Sequence, residues 1–72
     1  MQKSAPREYS NSEMKQLIAE YIHNEKDQRM LFYRLVKGKT FSEIAAVVEM
    51  DGKTVRKRIH KGEEVLFAHL PG

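Results

Sequence analysis

Apolar residues at Met14, Leu17, Ile18, Tyr21 and Ile22 recur at spacings of three and four, which places one stripe along an amphipathic helix. Ser10 with Glu13 carries the signature of a capping box, in which each side chain satisfies a free backbone amide of the first turn. The pattern predicts a first helix from Ser10 to about His23 or Asn24. A second helix is expected from Asp27 to Lys37, with Met30, Leu31, Phe32, Tyr33, Leu35 and Val36 apolar on more than one side, as suits a central helix. Asp27 is read as its N-cap or first-turn acid, and Gly38 stands where a left-handed C-cap is needed.

Thr40-Phe41-Ser42-Glu43 repeats the capping box, and Ile44 to Val48 forms the body of a short third helix. Glu49-Met50-Asp51 is the connection, and Asp51 is a strong N-cap for a fourth helix that opens with Gly52-Lys53-Thr54. Val55, Ile59, Gly62 and Leu66 define the buried stripe of that helix. Gly62 costs about 1 kcal/mol relative to alanine in a helix, so it marks a close contact or a fraying end. No strand has clear support. The expected fold is an all-α, four-helix domain over residues 10–70, preceded by a flexible lead-in over 1–9 and containing a helix-turn-helix at about 40–62.

Composition narrows the function. The chain has 72 residues and no cysteine, which removes disulfides and thiolate-bound zinc or iron–sulfur centres. His23, His60 and His69 lie far apart and near no carboxylate cluster, so neither a metal nor a cofactor is expected. No apolar run approaches the ~20 residues of a membrane span. MQKSAPREYSNS lacks the apolar stretch of a secretory signal, so a cytoplasmic location is expected. There is no nucleophile–base pair and no phosphate-cradling glycine loop, and so short a chain offers little pocket volume. An enzyme with a small-molecule substrate is therefore not expected.

Charge has a location as well as a size. The net charge is +3, but Gly52 to Lys61 alone holds Lys53, Arg56, Lys57, Arg58 and Lys61 with no acid, leaving a net of −2 on the rest. A concentrated basic segment on a mildly acidic body is the footprint of a polyanion binder, and equally of a solvated helix face. Two short helices joined by three residues, the second one basic, are the arrangement of a helix-turn-helix. Its requirements are met by Ala45, small where the helices cross, and by Ile44, Val48, Met50 and Val55, which lock the pair.

These residues carry a resemblance. The stretch from Arg29 to Leu66, RMLFYRLVKGKTFSEIAAVVEMDGKTVRKRIHKGEEVL, resembles region 4, the C-terminal domain of bacterial sigma factors. The matching positions are Arg34, Val36 and Gly38, then Phe41, Glu43, Ile44 and Ala45, then Thr54, Val55, Arg56, Arg58, Ile59 and His60. Related modules occur in response regulators and in small phage and mobile-element regulators. The remaining residues leave no room for the promoter-melting region 2. Two positions depart from the family pattern: Glu49 replaces the usual turn glycine, and Gly62 replaces the usual alanine. The resemblance implies duplex DNA binding in transcription regulation, with RNA polymerase as a further partner contacted through the first two helices.

Recognition-helix geometry distributes the roles. Gly52, Lys53, Arg56, Lys57 and His60 lie opposite Val55, Ile59 and Gly62 and are the candidates for base edges in the major groove. Thr40, Ser42, Thr54, Arg58 and Lys61 are the candidates for phosphates, which position the domain without reading sequence. Arg58 has an alternative as an ion-pair partner of a helix-one or helix-two acid. Phe32, Tyr33 and Phe41 are read as core. Two other functional readings stand beside specific DNA binding: a protein-interaction module on RNA polymerase or another regulator, and a non-specific architectural DNA binder. A homodimer is a linked expectation, because one such unit offers few base contacts; the stripe of the first helix is its expected surface, although the same stripe must also cover the core.

Overall fold

The computed structural model describes residues 10–69, which include the whole of the expected helical domain except residue 70. The lead-in over 1–9, Tyr9 included, lies outside the described residues. The chain forms α1 (Asn11–Tyr21), α2 (Glu25–Leu31, continuing through a wide π turn, Phe32–Val36), α3 (Phe41–Val48) and α4 (Gly52–Ala68). The domain is all-α with four helices, and among the described residues there is no strand. Among those residues no helix is long and apolar enough to cross a membrane.

Both capping boxes form. Glu13 N–H donates to Ser10 Oγ at 3.1 Å while Ser10 N–H donates to Glu13 Oε1 at 2.9 Å. Thr40 and Glu43 make the same reciprocal pair at the head of α3, again at 3.1 and 2.9 Å. The start of α2 differs from expectation. Asn24, not Asp27, is the N-cap, its Oδ1 accepting from Lys26 and Asp27 N–H at 2.9 and 3.1 Å. Asp27 is thus a first-turn acid of α2. The link between α1 and α2 is closed by Gln28, whose Nε2 donates to the Ile22 carbonyl at 2.6 Å.

The second helix also ends differently from a plain α-helix. Lys37 N–H reaches back to the Phe32 carbonyl, and Lys39 N–H to Tyr33. This widened turn runs into Gly38 at φ 70°, the left-handed position expected of it. Wide turns of this kind let one helix present side chains to several neighbours. Phe32, Tyr33, Arg34, Leu35 and Val36 are accordingly all half-buried.

The core is Ile18, Ile22, Met30, Leu31, Ile44, Val48, Val55, Ile59 and Leu66. Every helix contributes, and α4 packs on α1, α2 and α3. Burying one such aliphatic side chain stabilises by roughly 1.5–3 kcal/mol. The α1 stripe covers the core: Ile18 and Ile22 are buried, and Met14, Leu17 and Tyr21 are half-buried and pack against it. Among the described residues, the exposed large apolar side chains are Val47, Val65 and Phe67.

Gly62 resolves as a close contact. It is buried against Leu31, and α4 runs on past it to Ala68. The connection between α3 and α4 is tight. Glu49 and Met50 N–H groups both reach the Ala45 carbonyl, which forces Glu49 into the left-handed region at φ 56°, ψ 49°. Asp51 then caps α4, accepting from Lys53 and Thr54 N–H at 3.1 and 3.3 Å.

Candidate nucleic-acid interface

The two faces of α4 have opposite character. Val55, Ile59, Gly62 and Leu66 are buried, while Lys53, Arg56, Lys57, His60 and Lys61 are exposed. This division follows from the 3.6-residue period acting on a segment whose apolar positions recur every three or four residues. The polar start of α4 is held in place by the Asp51 cap behind it and by the buried stripe beneath it.

A shallow open groove runs along the exposed side of α4 against the first turn of α3. It gathers all the expected base-edge residues, Gly52, Lys53, Arg56, Lys57 and His60, together with two expected phosphate residues, Ser42 and Lys61. Phe41 forms part of its floor, and Glu64 closes the end nearer the C-terminus of α4.

Three expected phosphate residues stand apart. Thr40 is occupied by its capping box, with Oγ1 accepting from Glu43 N–H and its own N–H bound by the Glu43 carboxylate. That carboxylate already fills the amide-rich end of α3, where an anion would otherwise sit. The hydrogen bond from Thr40 N–H is the chief cause that holds the Glu43 carboxyl below its ordinary value, against an opposing effect of desolvation and with help from the Lys39 charge. Thr54 is exposed but lies outside the groove. Arg58 is engaged elsewhere: its Nε sits 2.8 Å from Asp27 Oδ1, tying α4 to α2. The contact is ionic rather than well directed, since Oδ1 is sheltered from solvent and accepts no aligned hydrogen bond. Arg58 thus takes the alternative expected of it, an ion pair with an acid of the second helix, and it stands away from the groove.

Two residues near the groove were not expected there. Phe41 packs against the core, as its helical position suggested, but it also meets the basic face. The Arg56 guanidinium carbon lies 5.3 Å from its ring centroid, and that of Arg34 lies 4.4 Å from it. The His60 ring is tilted at 6.0 Å from the same ring. Arg34 is further fixed by donating through Nη1 to the Lys39 carbonyl at 3.0 Å. No short-range pattern joins Arg34 to the site, because it arrives from the π turn of the preceding helix. His60 also has Glu63 Oε1 at 3.7 Å from its Nδ1.

The arrangement presents a row of donors from Lys53 to Lys61 without an interleaved acid, along just over two turns of α4. Chemically it suits a ligand with many negative charges and hydrogen-bond acceptors at its edges. Comparison with protein-family models, with curated proteins and with solved structures returns no match.

Proposed function

We propose that this domain binds double-stranded DNA by laying the exposed side of α4 in the major groove, and that it thereby regulates transcription in the manner of a sigma region 4 module. The observation that carries this reading is the basic side of α4, which Lys53, Arg56, Lys57, His60 and Lys61 share with no acid between Lys53 and Lys61; Glu63, against His60, and Glu64 mark its end. In this reading α3 and α4 act as the helix-turn-helix pair. Lys53, Arg56 and Lys57 approach base edges, where Arg and Lys donate to guanine O6 and N7. Ser42 and Lys61 take phosphates at the margin of the groove.

Selection of duplexes from a random pool tests the proposal, repeated with Lys53→Ala and Arg56→Ala. A recurrent sequence motif is expected for the wild type, with a preference relaxed at one position by Arg56→Ala. Affinity should also fall steeply with salt, since phosphate contacts release condensed counterions. Absence of binding to every duplex at low salt would sink the reading. Equal affinity for unrelated duplexes would replace it with non-specific architectural binding.

A further inference from the structure

We propose that Phe41 is a positioning residue for sequence readout: its ring holds the Arg56 guanidinium in one orientation, so that Arg56 reads one base pair rather than sweeping over several. The proposal rests on the duplex-binding reading above. Arg56 starts from an exposed position on α4, and among the described residues it makes no ion pair. A free arginine there would sample many rotamers, and ordering it on binding costs conformational entropy.

Phe41 changes that situation. Its ring is half-buried and packs against the core cluster, so it is a fixed surface belonging to a different helix. Arg56 lies over that surface with its guanidinium carbon 5.3 Å from the centroid, within the range where a cation is drawn to an aromatic face. His60, tilted 6.0 Å from the same ring, borders Arg56 on the next turn of α4. Arg34 also lies over the ring, at 4.4 Å, but is tethered to the Lys39 carbonyl. Of the two arginines at Phe41, Arg56 is therefore the one without a second anchor, and the ring is the contact that orders it. Preorganising a donor of this kind raises discrimination without adding any contact to the ligand.

The test compares discrimination: the affinity for the selected duplex divided by that for the same duplex changed at the base pair whose preference Arg56→Ala relaxes. Phe41→Leu should lower this ratio about two- to fivefold, the worth of an exposed cation–aromatic contact. Phe41→Tyr, which keeps the ring, should restore it. In the Arg56→Ala background, Phe41→Leu should produce no further loss. In the free protein, the Arg56 δ and ε protons should be shifted upfield by the ring current, and Phe41→Leu should abolish that shift. The proposal is overturned if Phe41→Leu leaves the ratio unchanged, or lowers it equally with and without Arg56. It is also overturned if the Arg56 protons of the wild type show no ring-current shift, a measurement that stands even if Phe41→Leu fails to fold. A wild type that reads sequence while Phe41→Leu reads it equally well removes this proposal alone. A wild type that binds no duplex removes the binding reading with it.

Discussion

Gly62 and Leu31 meet at a point where no β-carbon fits: a methyl group on Gly62 would lie 2.5 Å from Leu31 Cδ1 and 3.1 Å from Cγ and Cδ2. Leu31 is fully buried, so a shift of its side chain must be taken up within the packed core. Gly62→Ala sets two effects against each other. Helix propensity favours alanine by about 1 kcal/mol, while overpacking a closed core costs about 1–3 kcal/mol. A net loss is expected, seen as a lower urea midpoint with an unchanged slope. Removing the three obstructing atoms should reverse the sign. In a Leu31→Ala background, measured at low temperature, Gly62→Ala should raise stability. If the substitution destabilises equally in both backgrounds, the Leu31 contact is not the cause.

Glu49 is the other position where the backbone opposes the side chain. It adopts φ 56°, ψ 49° between α3 and α4. A left-handed conformation costs a residue with a β-carbon roughly 1–2 kcal/mol, and the extra unfolded-state freedom of glycine offsets part of any relief. Glu49→Gly should therefore stabilise by ~0.5–1 kcal/mol, which corresponds to a rise in melting temperature of about 2–8 °C. Glu49→Asn should give a smaller rise and Glu49→Ala none. A melting temperature that does not move for Glu49→Gly would mean that the left-handed turn carries no strain.

The capping box of α3 supplies a pH dependence. The Glu43 carboxyl is held below its ordinary value, chiefly because its ionised form accepts from Thr40 N–H. A depressed folded-state value means the ionised form favours the folded state. The contribution is present above the carboxyl's ordinary value in the unfolded chain, and it is lost as pH falls through the lower folded value. Glu43→Gln keeps a side chain that can accept the same bond but does not titrate. Urea midpoints for the two proteins should differ most near neutral pH and converge in acid. A difference that stays constant from neutral to acid pH would show that Glu43 titration plays no part.

The helical plan was largely legible in the sequence because its signals are local. The Ser10 and Thr40 boxes and the Asp51 cap each depend on residues within three positions of one another, and the Gly38 stop on the backbone freedom of one glycine. The start of α2 lies two residues earlier than expected, because Asn24 and Asp27 are both capable caps; the bonds that Asn24 Oδ1 accepts from Lys26 and Asp27 N–H show which one the chain uses, and they leave Asp27 in its other expected role, a first-turn acid. The basic face of α4 was legible for the same reason as the caps: its period lies within one helix. Phe41 and Arg34 were not, because their roles depend on which helix lies opposite; for Arg58 the sequence offered both phosphate and an ion pair to a helix-one or helix-two acid, without identifying Asp27. A row of basic residues does not reveal that Asp27 has claimed one of them, or that an aromatic from α3 lies beneath another.

Two neighbouring cations of α4 differ in this respect. Arg58 is paired with Asp27 at 2.8 Å, whereas Lys61 is exposed at the groove. A partly exposed ion pair contributes at most about 1 kcal/mol. Arg58→Ala should lower stability by an amount of that order, and Asp27→Asn should do the same. The double variant should lose little more than either single one, because both remove one interaction. Lys61→Ala should leave stability within about 0.5 kcal/mol, as expected for a surface position. On duplex DNA the order reverses. Lys61→Ala should weaken binding to all sequences alike and reduce the magnitude of the salt slope by about 1. Arg58→Ala, compared under conditions where it remains folded, should leave that slope as it was, since its charge is already neutralised within the fold. A reduced slope for Arg58→Ala would mean that the arginine leaves Asp27 for phosphate on binding, and the ion pair would then be a feature of the free protein alone.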